Sequence, residues 1–164
     1  MPNLSELNGL DCAAFVRVIG PVFEHSPWIA ERTWPQRPFG SVKALHQALC
    51  GTVQNASADE QLALIRAHPD LVGRAILTRE SSGEQASAGL NNISPEEARQ
   101  FEEYNAQYRE RFGFPFVICA RLNKKEAILH AFPERLRNDR QREVEIALEE
   151  VAKIAALRLA DLIT

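Results

Sequence analysis

The sequence predicts an all-α fold, and three observations carry that prediction. Helix-start signals recur along the chain, runs of alternating β-branched residues are absent, and the C-terminal stretch repeats apolar residues at helical spacing. In chain order, Asp11 is placed to cap a helix running through Ile19, stopped by Gly20-Pro21. Ser26-Pro27 sets a capping side chain before a proline at the first helical position. Ser41 caps a helix through Gln54, and Ser57 with Glu60 has capping-box spacing for a helix running from about Ala58. Residues 69–93 mix Gly, Ser, Asn and Thr and are expected to form the one long loop. Ser94-Pro95 with Glu97, and Asn123 with Glu126, open two further helices, and the last helix spans about 140–163.

Composition bounds the function. The chain has 164 residues, 45% hydrophobic and 25% charged, with 19 basic and 22 acidic residues and a formal net charge of −3. That length suits a single domain, residues 1–164, with a core that needs no disulfide or structural metal. The charge balance argues against nucleic acid as a partner, and no apolar run is long enough for a membrane span. No basic-then-apolar leader opens the chain, so cytoplasmic localisation is expected. Cys12, Cys50 and Cys119 are three widely spaced cysteines. They fit neither a disulfide framework nor a CxxC metal site, which points to a reducing compartment.

The last helix holds an unusual charge. Val144, Leu148, Val151, Ala155 and Leu162 fall near one line on the helix surface, and Arg158 completes the same series. A permanent cation on the face expected to be buried needs an anion or a set of acceptors. Either a structural ion pair or an anion-binding cleft satisfies that need, and a snorkelling position at the edge of the stripe would avoid it.

Among the four histidines, His25 lies at a helix entry, and His46 and His130 sit inside helical patterns as surface or packing residues. His68 differs because it precedes Pro69, which pushes it out of the α region to just past a helix end. There it can cap the last carbonyls or serve as an acid–base group tuned by the helix terminus. Ser81, Ser82, Gly83, Glu84 and Gln85 follow in the long loop. Glu84 either closes a capping box with Ser81 or supplies a carboxylate to a polar cradle.

The run Phe112 to Arg121 is apolar and interrupted by Gly113 and Pro115. It reads as a buried segment, or as non-helical backbone whose free amides and carbonyls line a pocket. Cys119 within it reads as a small buried residue rather than a nucleophile. Trp28 and Trp34 flank a short helix as core residues. The stretch Arg121 to Arg142, with seven basic and three acidic residues, reads as a solvated helix face with some pull on anionic substrates.

Taken together, His68-Pro69-Asp70-Leu71, Ser81-x-x-Glu84-Gln85 with Ala88-Gly89-Leu90, and Phe112-Gly113-Phe114-Pro115-Phe116-Val117-Ile118-Cys119-Ala120-Arg121 resemble the OHCU (2-oxo-4-hydroxy-4-carboxy-5-ureidoimidazoline) decarboxylase family. The resemblance extends to Phe23-Glu24-x-Ser26-x-Trp28 and to the terminal helix bearing Leu157-Arg158-Leu159, and so covers nearly the whole chain. It implies a compact multi-helix bundle, the last step of urate breakdown to (S)-allantoin, no metal or organic cofactor, and a homodimer. It further implies His68, Glu84 and Arg158 as catalytic residues. Substrate contacts would come from Pro69, from Ser81, Ser82, Gly83, Glu84 and Gln85, and from the backbone of Phe116, Val117, Ile118, Cys119 and Ala120. Animal members of the family carry a peroxisomal tag, which the terminal Leu-Ile-Thr does not match, in keeping with the cytoplasmic expectation. Two other readings compete. One is a non-enzymatic helical interaction module; the other is a metal-dependent hydrolase built on His68, Asp70 and Glu84.

Overall fold

The computed structural model describes residues 1–73 and 76–164, and among them no strand occurs. Among the described residues nine α-helices follow one another: α1 (Leu4–Asn8), α2 (Cys12–Ile19), α3 (Trp28–Thr33), α4 (Val42–Gln54), α5 (Ala58–Arg66), α6 (Arg79–Ser87), α7 (Pro95–Phe112), α8 (Lys125–Leu136) and α9 (Arg140–Leu162). The all-α expectation is met. The chain divides into two compact units, Met1–Ala67 with Ala152–Thr164, and His68–Val151.

In the first unit the helix starts follow the sequence. Asp11 accepts the Ala14 N–H and Ser41 accepts that of Ala44. Ser57 and Glu60 form a reciprocal capping box. Ser26 departs from expectation: its hydroxyl donates to the Glu24 carbonyl at 2.8 Å, and α3 begins without a side-chain cap. Phe15, Ile19, Ile29, Leu45, Leu49, Leu64 and Ile65 are fully buried and make the core. The two tryptophans are half-buried rather than core, and each carries an arginine on its ring, Arg32 over Trp28 at 4.6 Å and Arg37 over Trp34 at 4.1 Å.

The second unit is aromatic. Phe101, Tyr108, Phe114, Phe116 and Phe132 are buried together, with Phe116 stacked on Phe132 at 3.9 Å between centroids. Ser94 and Glu97 form the expected capping box on α7. Gly113, at φ 80, takes the left-handed conformation that ends α7. Asn123 does not cap α8; its amide donates to the Cys119 carbonyl at 2.9 Å, and Lys124 precedes the helix without a side-chain cap. The stretch 69–93 is not one loop, since it contains α6. That helix opens at Thr78, whose hydroxyl accepts the Ser81 N–H at 3.1 Å, so Ser81 lies inside the helix and forms no capping box with Glu84.

The burial of α9 is also rotated from expectation. Val144, Leu148 and Leu162 are only half-buried, whereas Glu143, Ala147, Glu150 and Ile154 are buried beside Val151, Ala155 and Arg158. The first half of the helix turns the preceding position of each turn inward, because its carboxylates find donors there. Arg135 corrects the solvated-face reading in the same way: this member of the basic stretch is buried against Glu143, 2.8 Å away.

Arg32, hydrogen-bonded to the Glu60 carboxylate, and the Ser57 amide hold Glu60 down to about 2 from its ordinary 4.5. A carboxylate lowered in the folded state stabilises above its ordinary value and loses that contribution as pH falls through the folded value. Glu60→Gln is therefore expected to flatten the stability profile between about pH 5 and 2, measured by urea unfolding at each pH. A variant profile parallel to that of the parent protein would contradict this.

Candidate functional site

His68 stands two residues beyond α5, where Pro69 prevents the helix from continuing, and it is 7% exposed. The backbone after it is held from three sides within the second unit. Arg109 Nε donates to Asp70 at 3.0 and 3.2 Å. Asn105 Nδ2 donates to the Leu71 carbonyl at 2.8 Å. Gln85 accepts the Val72 N–H at 3.2 Å and donates to the Asp70 carbonyl at 3.4 Å. Val72 sits at φ 58, an unfavourable region for a β-branched residue, so this turn needs those bonds to persist.

Gln85 comes from α6, which presents its site residues by helical spacing. Ser81 and Gln85, four apart, are buried on one face with Ala88; Glu84 is half-buried beside them. Ser82 and Gly83 project away from that face and are exposed. The Gln85 amide grips the 70–72 backbone.

The segment after Gly113 is non-helical through Cys119, as the Gly and Pro interruptions suggest, and Phe116 to Ala120 are buried. Arg135 Nη1 donates to the Val117 carbonyl at 2.6 Å, and the Cys119 N–H donates to Glu150 Oε1 at 3.2 Å. The Cys119 carbonyl accepts from the Leu122 amide at 3.1 Å. Burial pushes the Cys119 thiol up, the Leu122 amide opposes the rise, and the charges of Glu150 and Glu84 add to it. Cys119 is thus a protonated, buried thiol, as the sequence suggests. α6 packs on the turn Ala120–Leu122, which follows Cys119 directly. Among the described residues no three His, Cys, Asp or Glu side chains could hold a metal ion, so His68, Asp70 and Glu84 do not form a ligand set.

In the first unit Arg158 is 4% exposed, on the buried face that sequence spacing assigned to it. Its Nη2 donates to Glu24 Oε1 at 2.9 Å and its Nη1 to the Pro21 carbonyl at 3.0 Å. Sequence reasoning missed the partners, not the arginine. Glu24 is only 2% exposed, and a carboxylate in the apolar stretch Val22-Phe23-Glu24 was the available signal. Glu143 and Glu150, seven apart on α9, were missed as well; their spacing marks one helix face that a reading of apolar residues alone passes over.

The whole chain resembles known proteins. The family model described as OHCU decarboxylase matches residues 8–160. A 2-oxo-4-hydroxy-4-carboxy-5-ureidoimidazoline decarboxylase of Halalkalicoccus jeotgali is 45% identical over 98% of this chain and 91% of its own. A crystal structure of (S)-allantoin synthase superposes with a TM-score of 0.81 at 27% identity, over all of this chain, which spans 54% of that longer one. A crystal structure of OHCU decarboxylase in the presence of (S)-allantoin superposes with a TM-score of 0.70 at 28% identity, over 82% of this chain and 89% of that one.

The buried pair makes a stability prediction. Glu24→Ala removes the buried carboxylate that Arg158 Nη2 donates to and is expected to cost about 3–5 kcal/mol, read from urea unfolding. Glu24→Gln retains an acceptor and is expected to cost less. A small, equal loss in both variants would show that the pair is not what holds Arg158.

Proposed function

The chain belongs to the OHCU decarboxylase family, and we propose on that footing that it converts 2-oxo-4-hydroxy-4-carboxy-5-ureidoimidazoline to (S)-allantoin and CO2. The observation that carries the reading is the join between two motifs. Glu84 and Gln85 are neighbours on α6, and Gln85 grips the backbone at Asp70 and Val72, just beyond His68 and Pro69. A buried histidine, a half-buried carboxylate and a held non-helical segment are what a small polar substrate with ring amides needs. The matches to the Halalkalicoccus jeotgali decarboxylase and to the structure determined with (S)-allantoin support the same substrate.

The substrate carries hydroxyl and carboxyl groups on C4 and a ureido group on C5, with a C=N bond at C5. When the C4–carboxylate bond breaks, CO2 departs and the electron pair forms a C4–C5 double bond. The displaced C=N pair takes a proton on nitrogen. The resulting enol returns to a C4 carbonyl, its hydroxyl proton being lost, as a proton is delivered to one face of C5. The ring is its own electron sink, so the protein's task is to orient the substrate and to place that proton.

We assign the proton delivery to His68, whose position past α5 is set by Pro69. Glu84 orients and charges the imidazole. Arg158 anchors anionic or carbonyl oxygens with its planar fork, held in place by Glu24. Pro69, Ser81, Glu84, Gln85 and the backbone from Phe116 to Ala120 form the substrate contacts. Ser82 and Gly83, assigned with them by the family pattern, belong to the same proposal and lie exposed on α6.

The two compact units are read as one decarboxylase domain, because the family match at residues 8–160 runs through both. No helix of the described residues is long and apolar enough to cross a membrane. A cytoplasmic homodimer is part of the same proposal, and sedimentation equilibrium tests the dimer.

His68→Asn is expected to fold normally and to lose about 10²–10⁴-fold in rate, the range of a general acid, followed by the circular dichroism of (S)-allantoin formed from fresh substrate. A folded variant with near-normal turnover would remove His68 from the mechanism. Arg158→Lys keeps the charge without the fork and is expected to raise KM; unchanged kinetics would defeat the anchoring role.

A further inference from the structure

Two carboxylates of α9 are used by neither the proposed chemistry nor the Arg158 pair. Glu143 has no exposure, and Glu150 is 7% exposed. Seven residues apart, they lie on one face of the helix, within about 20° of one another at 100° per residue. Both are spent on the same short stretch of backbone. Glu143 Oε1 accepts from Arg135 Nε at 2.8 Å and from Tyr108 Oη at 2.6 Å, and its Oε2 accepts from Asn138 Nδ2 at 2.8 Å. Arg135, aimed by those bonds and lying over the Phe116 ring at 4.2 Å, donates on to the Val117 carbonyl. Glu150 takes the Cys119 N–H directly.

The two held groups are separated by one residue. Cys119 has extended dihedrals, φ −72 and ψ 96. In extended backbone, residues two apart turn their polar groups to one side and the residue between turns its groups to the other. The N–H and C=O of Ile118 have no hydrogen-bond partner among the described residues, although Ile118 is only 9% exposed. Buried backbone groups require partners, and a bound polar molecule is one.

We propose that Glu150 and the Arg135–Glu143 pair are positioning residues. They fix the rotation of the 117–119 backbone, withdrawing Val117 C=O and Cys119 N–H into the protein so that Ile118 turns its peptide groups toward the substrate. This rests on the decarboxylase reading only for the identity of the ligand. The clamp acts on ground-state and transition-state binding alike, so its loss raises KM with little change in kcat.

The experiment compares Glu150→Ala, Glu150→Gln and Arg135→Lys in the full chain. Glu150→Ala is expected to raise KM for the ureidoimidazoline about tenfold, the cost of one misplaced hydrogen bond, with kcat within about threefold. Glu150→Gln restores KM, because its amide oxygen still accepts the Cys119 N–H. Arg135→Lys keeps the charge beside Glu143 but lacks the fork that reaches Val117, and it raises KM like Glu150→Ala. A lowered melting temperature with KM unchanged in folded Glu150→Ala or Arg135→Lys overturns the proposal.

If neither variant folds, amide hydrogen exchange of the parent protein decides. The Cys119 amide should be protected with and without (S)-allantoin, and fast Cys119 exchange in the free protein overturns the clamp. A parent protein that neither decarboxylates the substrate nor binds (S)-allantoin defeats the functional reading itself, which is a different result from an active enzyme whose KM ignores Glu150.

Discussion

A carboxylate sealed from water constrains much of the second unit. Glu143 is buried completely, and an ion in that position persists only if every lone pair that matters is met. Arg135, Tyr108 and Asn138 meet it, and each is thereby fixed in turn. Tyr108 is the hub of the aromatic cluster, touching the rings of Phe112, Phe114 and Phe116. Burial pushes its phenol well up, so it remains a neutral donor to Glu143. Arg135 carries the constraint onward to the backbone of Val117. A buried ion pair of this kind adds little net stability over well-packed apolar residues. What it supplies here is direction: a planar cation that can point at one carbonyl only while the carboxylate holds its other edge.

The same device appears in the first unit with a different purpose. Arg158 is oriented by Glu24 and by the Pro21 carbonyl, which together fix the plane of its guanidinium. The His68 loop is organised instead by neutral amides. Asn105 and Gln85 hold the carbonyls of Leu71 and Asp70, and Gln85 also holds the Val72 N–H in a strained turn. Holding the turn through amides adds no formal charge beside His68 from those two side chains. The charged partners, Asp70 and Arg109, pair with each other.

Local chemistry was legible wherever the deciding atoms lie within one turn of the chain. Asp11, Ser41, Ser57 and Ser94 cap as their spacing implies, because the amide each satisfies is three residues away. His68 falls beyond its helix because the next residue is proline. Arg158 lies on the buried face because helical period alone puts it there. Ser26 and Asn123 fail as caps because backbone carbonyls close in the chain, Glu24 and Cys119, compete for their side chains. Ser81 was displaced as a cap by Thr78, an equally competent hydroxyl three residues earlier.

The sequence by itself determined the helical class, most helix boundaries, and the motifs that tie the chain to its family. These depend on periodicity and on contacts between near neighbours. Tertiary structure alone decided which charges enter the core. Position in the chain hints that Glu24, Glu143 and Glu150 face inward, but burial of each of these and of Arg135 is tolerable only beside the partner that the fold brings to it. The partner of Glu24 is 134 residues distant and that of Glu150 is 31. The free energy of burying a charge depends on what meets it there, and a local pattern does not name that partner.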